Sequence, residues 1–259
     1  MRNKNEIANR HASEYIAAVF KEALMNSGFV CPDENLLCWY RIKSTEIVNS
    51  IVFCTRFSTL PLFLEINYGI FPTFEMPIHI DGVVCNENPD EELFTYRCIV
   101  EDYPNGGTKS PFSETILVNA PTQGGRGLHT FTELILPQMD HIETIQEAYI
   151  FHKNRRANHP LVQTNPSASP FGELSKTFIS MALWADDKEM YPYAISQINR
   201  AVTLYQKLSA KYPRRKNYAQ EFSGWKRLQE VFSTGDRDSY LVELSQKMEQ
   251  NAKALQAYN

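Results

Sequence analysis

The sequence predicts an α+β protein in which an antiparallel meander sheet with flanking helices is followed by an all-helical C-terminal portion. Apolar residues alternate between residues 36 and 71, which is the spacing of strands with one buried face. From residue 171 onward they recur at steps of three and four, which is helical spacing. Eight of the eleven glycines precede residue 129, so the composition changes near the middle of the chain as the periodicity does.

The pattern opens at residues 5–26 with the spacing of an amphipathic helix, and Gly28 is suited to the left-handed cap of that helix. Alternation then predicts three strands with short links, at residues 36–43, 47–57 and 62–71. Short links favour an antiparallel meander with one face buried. Either the C-terminal helices or a partner protein are expected to cover the second face.

Further strands are predicted at residues 93–100 and 115–119. Residues 128–136 fit both a strand and a helix, because they alternate in hydrophobicity but also contain a capping-box pattern. A helix is predicted over residues 137–152, starting at a proline that is tolerated in the first turn. It ends in the cations of residues 153–156, where the helix dipole favours positive charge.

The chain is expected to form two domains joined by a linker. Residues 1–156 are predicted to be an α+β domain made of the N-terminal helix, the sheet and a closing helix. Residues 157–170 contain three prolines among small polar residues without periodicity, as is typical of a linker. Residues 171–259 are predicted to form four helices, arranged as a bundle or as stacked helical hairpins.

The net charge of −4 is unevenly distributed along the chain. Residues 1–128 carry 10 basic and 16 acidic residues, whereas residues 129–259 carry 16 basic and 14 acidic ones. The acidic half also bears aromatic residues, and this combination suits a basic protein partner. No apolar run reaches the length of a membrane-spanning helix, so a membrane partner is not expected.

The five cysteines are odd in number, irregularly spaced and include no CxxC pair. We therefore expect reduced cysteines in a cytoplasmic protein, with neither a disulfide framework nor a structural zinc site. Lys21 and Glu22 interrupt the apolar stretch near the N-terminus, which argues against a secretory signal. No motif predicts a cofactor or a metal.

The first candidate binding site is the loop that contains Gly124, Gly125, Arg126 and Gly127. It is predicted to follow a strand and to precede a helix, and in that setting glycines allow backbone amides to approach a phosphate. The spacing matches neither the P-loop nor the dinucleotide-binding motif. A sharply turning connector without a ligand also accounts for these glycines and is the simpler interpretation.

The second candidate site is Asp140 with His141, which bring a carboxylate and an imidazole together near the start of a predicted helix. The dipole of the helix favours acids at that end in any case, and no paired metal-ligand spacing accompanies them. Asp186 and Asp187 are compatible with a metal or phosphate site, but a capping aspartate in a turn is the commoner arrangement.

Two basic clusters lie at residues 153–156 and 211–216, and the second contains Tyr212 and is followed by Tyr218. Aromatic residues beside cations are typical of proteins that bind single-stranded nucleic acid. The isoelectric point of about 5.9 argues against that partner. Both clusters also lie at predicted helix ends, where we expect cations for structural reasons.

Residues 20–71 carry a resemblance to a known family. They run from a helix through Gly28-Phe29 to a strand reading WYR at residues 39–41 and a strand reading LEINYGI at residues 64–70. This layout resembles the bacterial family called domain of unknown function 4304, over residues 15–155. The resemblance implies a bacterial cytoplasmic α+β domain, and its motif contains no catalytic residue.

The sequence contains no nucleophile elbow and no cysteine–histidine signature of a catalytic site. We therefore expect a non-enzymatic binding or interaction protein with a protein partner, of the immunity or regulatory type that bacteria pair with toxins or effectors. The alternative is a hydrolase or phosphate-handling enzyme that combines the loop of residues 124–127 with a distant carboxylate or histidine. The sequence leaves the oligomeric state open.

Overall fold

The structure is a computed structural model of the chain. It describes residues 13, 16–32, 37–56, 63–75, 78–79, 84–85, 94–98, 115–117, 128–129, 131–157, 171 and 174–256. The loop with Gly124, Gly125, Arg126 and Gly127 lies outside the described residues, as do residues 158–170 of the predicted linker. The predictions made for these two segments stay predictions.

The chain divides into two compact units. The sheet unit comprises residues 1–144 and 248–259, and the helical unit comprises residues 145–247. The division therefore falls before the predicted closing helix, whereas the sequence placed the first domain at residues 1–156 and the second at 171–259.

The reason for this difference is the packing of the helix Ile145–Ala157. Its Tyr149 ring contacts the Phe178 ring with 5.3 Å between centroids. The Arg156 guanidinium lies over the same Phe178 ring at 5.1 Å. These contacts place the helix among the residues of the helical unit, and its sequence alone contains no signal for that choice.

The described elements of the sheet unit are seven strands with short helical segments before and after them. In chain order they are α1 (Lys21–Asn26), β1 (Cys38–Ile42), β2 (Ile47–Arg56), β3 (Phe63–Pro72), β4 (Ile78–His79), β5 (Val84–Cys85), β6 (Phe94–Cys98), β7 (Thr115–Leu117), a π-helical turn (Phe131–Ile135) and α2 (Leu136–Asp140). Residues 16–19 before α1 are also helical, and Gly28 adopts the left-handed conformation predicted for it, with a φ of 80°.

Strands β1, β2 and β3 form the predicted antiparallel meander, and β6 and β7 both pair antiparallel with β3. In this register Asn49 lies between Arg41 and Ile70, and Ser50 lies between Tyr40 and Gly69. The fold class predicted from the periodicity is confirmed. The hairpin of β4 and β5 forms a separate two-stranded sheet that the sequence did not predict.

Both faces of the meander are buried. On one face Tyr68 stacks on Phe131, with 5.9 Å between ring centroids, and Phe53 meets Phe20 at 5.3 Å. Successive residues of a strand point to opposite faces, so Tyr40 points away from the face that carries its neighbour Trp39.

The last turns of the chain cover the second face. The Tyr40 hydroxyl donates to the Leu255 carbonyl oxygen at 3.1 Å, and the Asn251 Nδ2 amide donates to the Thr73 carbonyl oxygen at 2.8 Å. The sequence left open whether C-terminal helices or a partner would cover this face, and a C-terminal segment does so.

The segment between the sheet and the helical unit differs from its prediction in two respects. Residues 131–135, which fitted both a strand and a helix, are helical. The helix predicted over residues 137–152 is interrupted, because α2 ends at Asp140, where the His141 amide donates to the Gln138 carbonyl oxygen at 3.3 Å. The next helix begins at Ile145.

The helical unit begins with α3 (Ile145–Ala157) and α4 (Lys176–Trp184), followed by a 3-10 helix (Lys188–Met190). It continues with α5 (Tyr191–Lys211), α6 (Lys216–Thr234) and α7 (Arg237–Gln256). The four helices predicted after residue 171 are therefore present, with the last turns of α7 in the sheet unit. In the described part of the chain, no helix combines the length and the apolar character needed to cross a membrane.

The cysteines do not all follow the prediction of reduced thiols. Cys31 is half-buried and forms no disulfide bond, whereas Cys38 in β1 is in a disulfide bond. An odd number of cysteines at irregular spacing does not exclude one bond, because strand pairing brings together residues that are distant in the sequence.

The Phe71 ring lies where a side chain on Gly69 would have to be. A Cβ atom built on Gly69 would overlap this ring, and Phe71 is itself buried. The register also shifts between Tyr68 and Gly69, where β3 meets β6. Glycine within a strand is typical of such a close approach.

We predict that Gly69→Ala lowers the free energy of unfolding by roughly 1–3 kcal/mol, because the added methyl group overpacks a filled core. Chemical denaturation followed by circular dichroism measures the change. Gly224→Ala in α6 is the control. Its Cβ would meet only the flexible Lys176 side chain at 3.4 Å, so we expect unchanged or higher stability there. Equal effects of the two substitutions would contradict this account of Gly69.

Candidate functional site

The predicted site residue Asp140 is the last residue of α2 and forms an ion pair with Arg41 of β1. The Arg41 Nη2 atom lies 2.8 Å from the Asp140 Oδ1 atom. The Arg41 side chain is only 12% exposed and that of Asp140 is 45% exposed, so this contact links a half-buried cation to the surface. His141 follows as an exposed residue at the end of the helix.

The Arg41 guanidinium is fully used by contacts within the sheet unit. Its Nε and Nη2 atoms donate to the Asn49 Oδ1 atom at 3.2 and 2.9 Å, and its Nη1 atom donates to the Ser27 carbonyl oxygen at 3.1 Å. Its Cζ atom also lies 4.9 Å from the centroid of the Phe29 ring. Arg41 thus ties the residues after α1, strand β2 and the end of α2 together.

Asp140 therefore has a structural role as the counter-charge of Arg41. The Arg41 guanidinium is largely shielded from water, so it needs acceptors within the fold, and Asp140 supplies a charged one.

A second polar cluster, the Asp187 cluster, consists of Tyr149, Lys153 and Asp187 in the helical unit. The Tyr149 hydroxyl donates to the Asp187 Oδ2 atom at 2.7 Å, and the Lys153 ammonium group pairs with the same oxygen. The Asp187 Oδ1 atom accepts from the Glu189 amide at 3.1 Å and caps the 3-10 helix. The prediction of a capping aspartate in this turn is confirmed.

The pKa values of Asp187 and Tyr149 are shifted in opposite directions by the contacts within the Asp187 cluster. Burial alone raises the pKa of the Asp187 carboxyl, but the hydrogen bonds from Lys153 and Tyr149 outweigh it, and the pKa lies below its usual value. Burial and the hydrogen bond to Asp187 raise the pKa of Tyr149 well above its usual value. At neutral pH Tyr149 is therefore a hydrogen-bond donor and Asp187 an ionised acceptor, which is the arrangement of a structural anchor.

The neighbouring Asp186 is held by a separate set of groups. Its backbone has a φ of 52°, and its Oδ1 atom accepts from the Tyr191 hydroxyl at 2.9 Å. Burial and this hydrogen bond raise the pKa of Tyr191 to about 12. Arg237, 3.8 Å from Asp186, donates to the carbonyl oxygens of Leu183 and Trp184 at the end of α4.

The described side chains offer no other candidate for a metal ion. Among them, no group of three histidine, cysteine, aspartate or glutamate residues lies close enough to hold one. Asp186 and Asp187 each have their own partners, so these two aspartates do not converge on a common point.

The connection between α5 and α6 has a different character. We call it the basic tip and define it as Lys207, Lys211, Tyr212, Arg214, Arg215, Lys216 and Tyr218. Residues 211–217 are all exposed. The Arg215 guanidinium lies against two neighbouring rings, 5.7 Å from the centroid of Tyr212 and 5.8 Å from that of Tyr218, and these two centroids are 5.9 Å apart. The Lys211 ammonium group lies 5.3 Å from the Tyr212 ring.

The cations of the basic tip have no acidic counterpart nearby in the sequence. No aspartate or glutamate occurs between Glu189 and Glu221, whereas this interval contains six lysines and arginines. Among the described residues, none of the five cations of the tip forms an ion pair with a carboxylate. This is the opposite of the Asp187 cluster, in which every charge is matched.

Three of these cations lie at the end of a helix that disfavours them. Helix α6 begins at Lys216, its N-cap residue is Arg215, and its first turn contains no acid. A helix N-terminus carries a partial positive charge, so Arg214, Arg215 and Lys216 raise the local electrostatic energy. The expectation that a helix end favours these cations is wrong for Arg214, Arg215 and Lys216. It holds for Lys211 in the last turn of α5 and for Arg155 and Arg156 at the end of α3.

Residues 211–216 stand out in the sequence as a basic cluster, but their conflict with a helix N-terminus was not predicted. The available signal was the interval of 31 residues without an acid, together with a basic run directly after Pro213, where a new helix begins. An aspartate or serine is the usual residue at such a position.

Comparison of the chain with models of protein families, with curated proteins and with solved structures finds no match. The resemblance to domain of unknown function 4304 therefore stays a prediction, and the function has to be argued from the described geometry.

The Asp187 cluster makes stability depend on acid. Because the pKa of Asp187 is lower in the folded than in the unfolded chain, its contribution is complete above the unfolded value of about 4 and is lost as the pH falls through the folded value. We predict that Asp187→Asn lowers stability at neutral pH and reduces the further loss below about pH 4. Urea denaturation at a series of pH values measures both.

Asp238→Asn is the matched control, because the Asp238 side chain is almost fully exposed in the same unit. We expect it to retain the acid dependence of the wild type. If Asp187→Asn lost stability on acidification as steeply as the control, the proposed role of the cluster would be wrong.

Proposed function

We propose that this protein is a non-enzymatic binding protein that uses the basic tip to hold an acidic partner. The observation that carries the proposal is the set of five exposed cations without carboxylate partners among the described residues, placed around Tyr212 and Tyr218. Cations that repel one another at a helix N-terminus lower the stability of the free protein. An anionic partner converts that repulsion into attraction.

The geometry favours recognition of carboxylates. The planar guanidinium group of Arg215 is oriented by its contacts with the Tyr212 and Tyr218 rings, so less conformational entropy is lost when it forms paired hydrogen bonds. Single exposed ion pairs contribute little, but several cations on one turn act together and also accelerate association with an acidic surface.

Two carboxylates that the sequence offered as candidates for a site have structural partners in the fold. Asp140 neutralises Arg41, and Asp187 accepts from Lys153 and Tyr149, so both carboxylates are already engaged in the fold. An immunity- or regulator-like role is consistent with a protein that binds a partner without turning it over. The sequence predicted a basic partner, whereas the exposed cations of the basic tip favour an acidic one. No described contact favours the hydrolase alternative.

The overall charge disfavours nucleic acid as that partner. The chain carries a net charge of −4, so its long-range field repels a nucleic acid, with one charge at every phosphate, more strongly than a protein segment that carries only a few acids. We keep the cytoplasmic location that the sequence predicts as part of the proposal. The disulfide bond of Cys38 is the one described feature that is untypical of a strongly reducing compartment.

The double substitution Arg214→Glu/Lys216→Glu tests the proposal. We predict that it weakens binding of a labelled glutamate-rich peptide at least about tenfold, since each reversed charge changes the interaction by roughly 1 kcal/mol. It is also expected to raise the stability of the free protein by roughly 0.3–1 kcal/mol per residue, because acids complement the N-terminus of α6. Fluorescence anisotropy and thermal denaturation measure the two effects.

Lys226→Glu/Lys247→Glu is the matched control, because it changes the net charge equally at two exposed lysines outside the tip. We expect the control to bind the peptide almost as well as the wild type. Absence of peptide binding to the wild type, or equal weakening by both double substitutions, would refute the proposal.

A further inference from the structure

We infer that the partner of the basic tip is a segment of another protein that combines carboxylates with an aliphatic or aromatic side chain. The inference rests on the proposed function and identifies the chemistry of the partner. It depends on an apolar stripe that continues from the tip along α5, made of Leu204, Leu208 and Tyr212.

The stripe is exposed although it is apolar. Leu204 is 52% exposed and Tyr212 is 40% exposed, and Leu208 between them is half-buried. The three residues are four positions apart, so they follow one side of the helix. Lys207 and Lys211 each lie three positions after a leucine of the stripe, so the cations flank it.

This combination of surfaces favours a protein segment over a nucleic acid. A leucine side chain gains most by burial against another apolar side chain, and a phosphate backbone offers none. The rings of Tyr212 and Tyr218 are already engaged by Arg215, and Lys211 also lies over Tyr212, so base stacking would have to displace these contacts. An acidic peptide requires no such displacement, because its carboxylates approach the cations from outside.

The charge pattern also defines which protein segment fits. Helix α5 contains three cations and no acid, so any segment that lies along the stripe meets positive charge on its way to the tip. A segment with acids on both sides of an apolar residue complements this surface, whereas a purely acidic segment leaves Leu204 exposed to water.

The test uses the full chain and three labelled probes: an acidic peptide that contains a leucine pair, the same peptide with serines in place of the leucines, and a single-stranded oligonucleotide of equal charge. Fluorescence anisotropy gives the dissociation constants at two salt concentrations. We expect the leucine peptide to bind about tenfold more tightly than the serine peptide, since one buried leucine is worth that factor. The oligonucleotide is expected to bind more weakly than either peptide.

Leu204→Ser should remove the advantage of the leucine peptide and leave the affinity for the serine peptide unchanged. Val242→Ser on α7 is the control, because Val242 is equally exposed at 56% but lies outside the stripe, and it should change neither affinity. Because both substitutions replace exposed side chains, thermal denaturation is expected to show both variants folded.

The outcomes separate this inference from the proposed function. Equal binding of both peptides, with loss in the Arg214→Glu/Lys216→Glu variant, would overturn the apolar contact and leave the acidic partner standing. Tighter binding of the oligonucleotide, with a steep dependence on salt, would overturn the inference in favour of a nucleic acid. Absence of binding to all three probes would overturn the proposed function as well.

Discussion

Burial of both faces of the β1–β2–β3 meander is the constraint on which the sheet unit depends. An antiparallel sheet with one face in water needs only one set of covering residues, but here Tyr68 and Phe53 require cover on one side and Tyr40 on the other. The second cover comes from Asn251 and residues near it, at the end of the chain. The sheet unit is therefore complete only when its first and last segments have met.

The same constraint explains why charge inside the sheet unit is paired so closely. Arg41 lies in β1, and most residues around it in β1 and β2 are buried. Its guanidinium group therefore needs hydrogen-bond acceptors within the fold. Asn49, Ser27 and Asp140 supply the acceptors, and in doing so they fix three separate segments to one side chain. The carboxylate of Asp140, a predicted binding-site residue, is thus used as the counter-charge of Arg41.

The helical unit contains one cluster in which charges are paired and, among the described residues, one in which cations lack a carboxylate partner. The Asp187 cluster matches each charge and each donor, which stabilises the turn between α4 and α5. The basic tip at the other end of α5 does the reverse, because it collects cations at the start of α6 without an acid. Local conflict of this kind within an otherwise consistent sequence is expected where a surface serves binding rather than stability.

Much of the fold could be predicted from periodicity, because strands and helices impose different spacings on apolar residues. The three strands of the meander and the four C-terminal helices followed from that pattern, and the left-handed Gly28 followed from the glycine at the end of a predicted helix. The interruption of the helix after Asp140 could not be predicted in this way. Apolar residues keep their helical spacing across residues 141–144, although the helical hydrogen bonds end at Asp140. The roles of Asp140 and Asp187 depend on partners far away in the sequence, and no local pattern contains that information.

The sequence by itself determined the fold class, the order of strands and helices, and the presence of a basic run near residue 214, since each is a property of neighbouring residues. Only the tertiary structure decided that Ile145–Ala157 belongs to the helical unit and that Asp140 serves Arg41. It also decided that Arg214, Arg215 and Lys216 lie at the positive end of a helix without acids beside them. The physical reason is that the energy of a charge depends on the groups that surround it in space, and folding determines which groups those are.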